Sequence, residues 1–156
     1  MKKKEIFDFF KEQKLPEQYH SLCAKYSDFE NSTRPKKEEL LKLAKQHNLN
    51  LKYSGRENLM YEDSKYIEGD FRFYVSFSHG LIGATYMPRN GNHSDNALEN
   101  LQGYEVRRIV EQLDPELMKS LKYNYPINTC NDDLNEILNF YLEFYKKFKK
   151  KFMNKN

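Results

Sequence analysis

Residues Asp70–Ser78 restrict the possible folds of this chain more than any other segment. Phe71, Phe73, Val75 and Phe77 alternate without interruption with Arg72, Tyr74, Ser76 and Ser78. A period of two puts the first set on one side of a pleated strand and the second set on the other. His79-Gly80 then reads as a tight turn into a second strand, Leu81–Met87. With a two-residue turn, Phe77 pairs with Ile82, Val75 with Ala84 and Phe73 with Tyr86. A slip of one residue would bring Gly83 and Thr85 to that side instead, so the pattern specifies its own register. We expect an antiparallel hairpin with one aromatic buried face and one outward face carrying Arg72, Tyr74 and Ser76.

Helical periodicity flanks this hairpin. Residues 1–48 read as helices: Ile6, Phe7, Phe9 and Phe10 open the chain, and Leu15-Pro16 starts a second helix with Tyr19, Leu22, Cys23, Tyr26 and Phe29 on one face. Ser32 and Thr33 are N-cap candidates for a third helix entered through Pro35, with Leu40, Leu41, Leu43 and Ala44 as its apolar positions and Asn48 as its C-cap. Residues 49–88 read as antiparallel strands, because Leu49, Leu51 and Tyr53 alternate with polar neighbours, as do Leu59 and Tyr61 after the Gly55 turn. Residues 95–153 read as helical again, with Ser94 or Asp95 as a cap, a weak point at Gly103, and a break at Asp114-Pro115. The last helix is the strongest: Leu134, Ile137, Leu138, Tyr141, Tyr145, Phe148 and Phe152 form one stripe flanked by Phe140 and Phe144. Such a wide apolar arc implies burial against two elements. The expected fold class is therefore α+β in a single domain over residues 1–156, with N-terminal helices, a central antiparallel meander and a long C-terminal amphipathic helix packed on the sheet.

Charge and composition narrow the function. The net charge of +3 does not by itself announce nucleic-acid binding. Its distribution is uneven: residues 1–52 hold 12 Lys and Arg against 8 Asp and Glu, residues 53–115 hold 6 against 10, and residues 116–156 hold 8 against 5. The acidic middle is concentrated in Glu57, Glu62, Asp63, Glu68 and Asp70. No apolar run reaches the roughly 18 residues of a membrane span, so no membrane association is expected. Glu5, Asp8, Lys11 and Glu12 interrupt any signal-peptide core after the opening lysines, and the expected location is a bacterial cytoplasm.

Motifs that carry chemistry are scarce. Cys23 and Cys130 match no metal or redox spacing, and Cys23 on a helical stripe reads as a buried free thiol. His20 and His47 fall in helical segments without ligand-spaced partners, and His79 falls in the hairpin turn. His93 and Asp95 form a His-x-Asp pair that reads as a turn and helix cap rather than a metal site. Glu105 would be a buried carboxylate on a helix running straight through Gly103, but a break there turns it to solvent. No phosphate-binding glycine loop, nucleophile elbow or zinc spacing is present, so we expect no enzyme activity, no metal and no cofactor. Lys146, Lys147, Lys149, Lys150, Lys151 and Lys155 are read as a solvated helix end that complements the dipole, and nucleic-acid binding through them is the alternative.

The order of the Asp70–Met87 hairpin, the acidic middle and the ending Asn131-Asp132-Asp133-Leu134 through Phe148 resembles the immunity proteins of polymorphic toxin systems, especially those of contact-dependent growth inhibition. The resemblance implies a binding protein that neutralises a cognate toxin domain by covering its active site or a neighbouring surface. The positive net charge departs from the acidic balance common among inhibitors of nucleases. On this reading the partner-binding residues are Glu57, Glu62, Asp63, Glu68, Asp70, Arg72 and Tyr74. Arg and Tyr are frequent interface anchors, and the carboxylates would supply complementary charge.

Overall fold

The hairpin takes the register its sequence dictates, with Phe73 opposite Tyr86, Val75 opposite Ala84 and Phe77 opposite Ile82. The structure is a computed structural model that describes residues 3–66, 69–89 and 104–153. Three helices come first: α1 (Lys3–Glu12), α2 (Leu15–Lys25) and α3 (Lys37–Gln46). Five strands follow: β1 (Lys52–Ser54), β2 (Leu59–Tyr66), β3 (Gly69–Ser78), β4 (Leu81–Arg89) and β5 (Tyr104–Glu105). The chain then forms α4 (Val106–Leu113), the short α5 (Pro115–Lys119) and the long α6 (Asn131–Phe148), which continues as a π turn over Lys149–Met153. The sheet is an antiparallel meander in the order β1-β2-β3-β4-β5.

One face of that sheet is the core. Phe71, Phe73, Val75 and Phe77 are buried there with Ile82, Ala84, Tyr86 and Met60. Helix α6 lies over them. Its Tyr145 ring stacks on Phe73 at 3.9 Å, Phe148 stacks on Phe71 at 5.3 Å, and the Tyr141 hydroxyl donates to the Ile82 carbonyl at 2.8 Å. Helix α1 packs beside α6 on the same face, with Phe10 stacked on Phe148 and packed edge-on against Tyr86. The aromatic stripe is thus shared between sheet and helix, as its width implied. Each such buried ring contributes roughly 1.5–3 kcal/mol from apolar burial.

Several local expectations are replaced by other devices. Ser32 and Thr33 do not cap α3: its N-cap is Lys36, and the Thr33 amide instead takes the Asn128 carbonyl at 2.8 Å. Asn48 does adopt the left-handed conformation that ends α3, at φ 59°. In the β3–β4 turn His79 carries the positive φ of 60°, whereas Gly80 is needed for space. A Cβ at Gly80 would stand 2.8 Å from the Asn128 carbonyl oxygen and from the Ser32 side chain. Within the stretch expected to be helical, Tyr104 and Glu105 instead pair with Tyr86 and Thr85 as an edge strand, and a helix follows from Val106. Glu68, His93, Asp95, Leu98, Leu101 and Gly103 lie outside the described residues.

Candidate functional site: the open face of the sheet

The side of the sheet turned away from α6 carries Tyr61, Asp63 and Lys65 from β2, and Asp70, Arg72, Tyr74 and Ser76 from β3. On β4 and β5 it carries Gly83, Thr85, Met87 and Glu105. The strand pairings put these residues in rows: Asp63 faces Arg72, which faces Met87, and Tyr61 faces Tyr74, which faces Thr85 and then Glu105. Arg72 and Tyr74 are half-buried on this face, as the alternation required.

Arg72 is held from two directions. Its Nε and one terminal nitrogen donate to the two Asp63 carboxylate oxygens at 2.6 and 2.9 Å, and its guanidinium lies 4.3 Å from the centre of the Tyr61 ring. A planar fork on a carboxylate combined with stacking on an aromatic face suits Arg and not Lys. The hydrogen bonds that Arg72 donates to Asp63 raise its pKa further, so its charge is permanent. The result is a fixed constellation, Tyr61–Arg72–Asp63, beside Tyr74 on β2 and β3.

A second cluster borders this face. The Tyr125 hydroxyl donates to Glu105 and accepts from Arg107 Nε at 2.9 Å, while another Arg107 nitrogen reaches Glu111 at 2.9 Å. Burial, followed by the Glu105 carboxylate, pushes the Tyr125 phenol up and keeps it a donor. The Tyr125 ring lies across Gly83, where a Cβ would come within 3.2 Å of it. The glycine therefore lets the 120–127 segment cross the sheet. Glu105 is neither a deeply buried acid nor a solvent-facing one. Its side chain is 21% exposed and serves to anchor this crossing.

The seven residues read from the sequence do not form one surface. Asp63, Asp70, Arg72 and Tyr74 share the open face, and Glu57 is exposed on the β1–β2 turn. Glu62 is a correction. It lies opposite Phe73 on the covered face, where it accepts hydrogen bonds from the Tyr145 hydroxyl and from Lys149 Nζ at 2.7 Å. The cause is the parity of β2: Met60, Glu62 and Ser64 pair with the inward Val75, Phe73 and Phe71, whereas Leu59 and Tyr61 pair with the outward Ser76 and Tyr74. Tyr61, Tyr125 and Glu105 are the open-face residues that sequence reasoning missed. The signal for Tyr61 was available only by carrying the β3 register one strand further.

Elsewhere, a groove of about 550 Å³ runs between α2 and α6 over Leu22, Phe140 and Phe144, with Lys25 and Tyr26 both bonded to Glu136 at one end. His20 bonds Ser120 at 2.8 Å, and His47 meets Glu143 at 3.1 Å. Cys23 is buried, Cys130 is exposed, and burial pushes the Cys23 thiol up to about 12. Among the described residues no three His, Cys, Asp or Glu side chains converge to hold a metal, and no helix is long and apolar enough to cross a membrane. No family model, curated protein or solved structure matches the chain.

Proposed function

We propose that this chain is an immunity-type inhibitor that neutralises a cognate toxin domain by laying the open face of its sheet over the toxin's active site or a neighbouring surface. The observation that carries this reading is the Tyr61–Asp63–Arg72–Tyr74 constellation. Tyr and Arg dominate binding hot spots, and side chains already fixed lose little entropy on docking. Asp63 and Arg72 neutralise each other, and Glu62 faces the core, so recognition rests on ring and guanidinium contact more than on acidic charge.

Co-expression with the product of the neighbouring gene, as the candidate toxin, tests the proposal. The wild-type chain should restore growth and co-purify with the toxin. Tyr74→Ala and Arg72→Ala should each weaken binding by about 30-fold, the size of a hot-spot loss of ~2 kcal/mol. Replacing Lys147, Lys150 and Lys151 with Gln should leave the complex intact. If only the lysine set has an effect, and only on DNA or RNA binding, the inhibitor reading is wrong.

A further inference from the structure

Strands β1 and β2 differ in length. β1 pairs only with Leu59–Tyr61, so from Glu62 to Tyr66 strand β2 has β3 on one side and, among the described residues, no strand on the other. Which backbone groups face that side follows from the alternation of an antiparallel ladder. The Phe77 amide donates to the Asn58 carbonyl at 3.0 Å, so residues 58, 60, 62 and 64 direct their amides and carbonyls toward β3. Residues 59, 61, 63 and 65 direct theirs away from it. The same parity holds at the opposite edge, where the Ile82 amide donates outward to the Pro126 carbonyl at 3.2 Å. The segment from Glu62 to Tyr66 is therefore a template for a further strand.

We propose that a second copy of this chain supplies that strand, with β2 pairing antiparallel to β2 about a two-fold axis at Ser64. Three features select a second copy. The first is hydrogen bonding. Asp63 comes opposite the partner's Lys65, and Lys65 opposite the partner's Asp63, both as hydrogen-bonded pairs. Ser64 faces the partner's Ser64 as a non-hydrogen-bonded pair, where side chains come closest, with Cα atoms about 4.5 Å apart. The Ser64 hydroxyl is buried beside the Tyr145 phenol, and this pairing brings the partner's Ser64 close to it.

The second feature is charge. On the open face the row Arg72, Asp63, the partner's Lys65 and the partner's Asp70 alternates in sign across the axis. The third is length. One residue beyond Glu62, Tyr61 already has Lys52 of β1 opposite it, so the new pairing ends at Glu62 and displaces nothing from β1. The dimer joins two five-stranded sheets into one and keeps both Tyr61–Tyr74 faces on the same side. It stands independently of the inhibitor reading, because no toxin is needed to detect it.

The test is the solution mass of the full chain by light scattering over a range of concentrations, combined with two variants. The wild type should be dimeric. Ser64→Cys, made together with Cys130→Ser, should form a disulfide-linked dimer under mild oxidation, because the expected separation suits a disulfide. Lys65→Asp alters only an exposed side chain, so it tests the register without disturbing packing. It should keep the far-UV circular dichroism and weaken the dimer about tenfold by placing like charges opposite each other twice. A monomeric wild type overturns the proposal. So does a dimer that Ser64→Cys does not cross-link or that Lys65→Asp leaves at full strength, since it uses another surface or register.

Discussion

Phe73 and Tyr74 are neighbours in sequence and occupy opposite sides of one sheet. Phe73 is fully buried against Tyr145 and Tyr86, with ring centres 3.9 and 5.1 Å away. Tyr74 stands half-buried in a row with Tyr61 and Thr85. The same backbone thus serves two tasks, separated by the direction of a single Cα–Cβ bond. The covered face holds the fold together by ring packing, and the open face is a surface whose side chains are held by one another. Substitutions on the two faces should therefore differ in kind. Phe73→Ala should cost about 3–5 kcal/mol, the range for removing a buried aromatic ring. Tyr74→Ala should cost under ~1 kcal/mol, as expected away from the core. Urea midpoints of the two variants check this, and equal losses would mean that the open face is itself packed against something.

A finer version of the contrast lies on β2. Glu62 and Asp63 are adjacent acids, but Glu62 is enclosed by Tyr145 and Lys149 whereas Asp63 pairs with Arg72 on the open face. Removing Glu62 leaves two partly buried donors short of an acceptor, which costs about 1–3 kcal/mol. Glu62→Ala should therefore destabilise by ~2 kcal/mol. Asp63→Ala breaks a half-exposed pair and should cost under ~1 kcal/mol. Chemical denaturation of both single variants measures the difference, and a larger loss at Asp63 would reverse the facing of β2.

These two residues also mark how far the sequence could be read. The facing of β3 and β4 was legible because four apolar residues alternate with four polar ones on β3, and a slip of one residue would put Gly83 and Thr85 on the side of the Phe71–Phe77 rings. The stripe of α6 was legible for the same reason at helical spacing. β2 carries no such pattern. Its inward residues are Met60, Glu62 and Ser64, and a carboxylate on a buried face is acceptable only because Tyr145 and Lys149, some 83 and 87 residues later, come to meet it. In the Tyr125–Glu105–Arg107 anchor, Tyr125 likewise comes from another element, 20 residues after Glu105 and 18 after Arg107. Patterns within one element reach the sequence reader; polar partnerships between distant elements do not.

The smallest expected effect concerns the outer rim of the helix that covers the core. Glu136 on α6 bonds Lys25 and Tyr26 of the α2 end, and Glu143 bonds Lys146 and faces His47. The Lys25 hydrogen bond, then that of Tyr26, holds the Glu136 carboxyl below its usual 4.5, and Lys146 does the same for Glu143. A carboxylate whose pKa is lower folded than unfolded adds stability that is fully present above the unfolded value. That stability is lost as the pH falls through the folded value. The window is therefore acidic, from about 4.5 downward. Both groups are exposed, so each pair adds little to stability and weakens further as salt rises. Urea midpoints of wild type and Glu136→Gln should differ slightly at neutral pH and converge below pH ~4. A gap that persists in acid would mean that Glu136 acts through packing. In that case α2 is held to the covered face by contact with α6, not by charge at its edge.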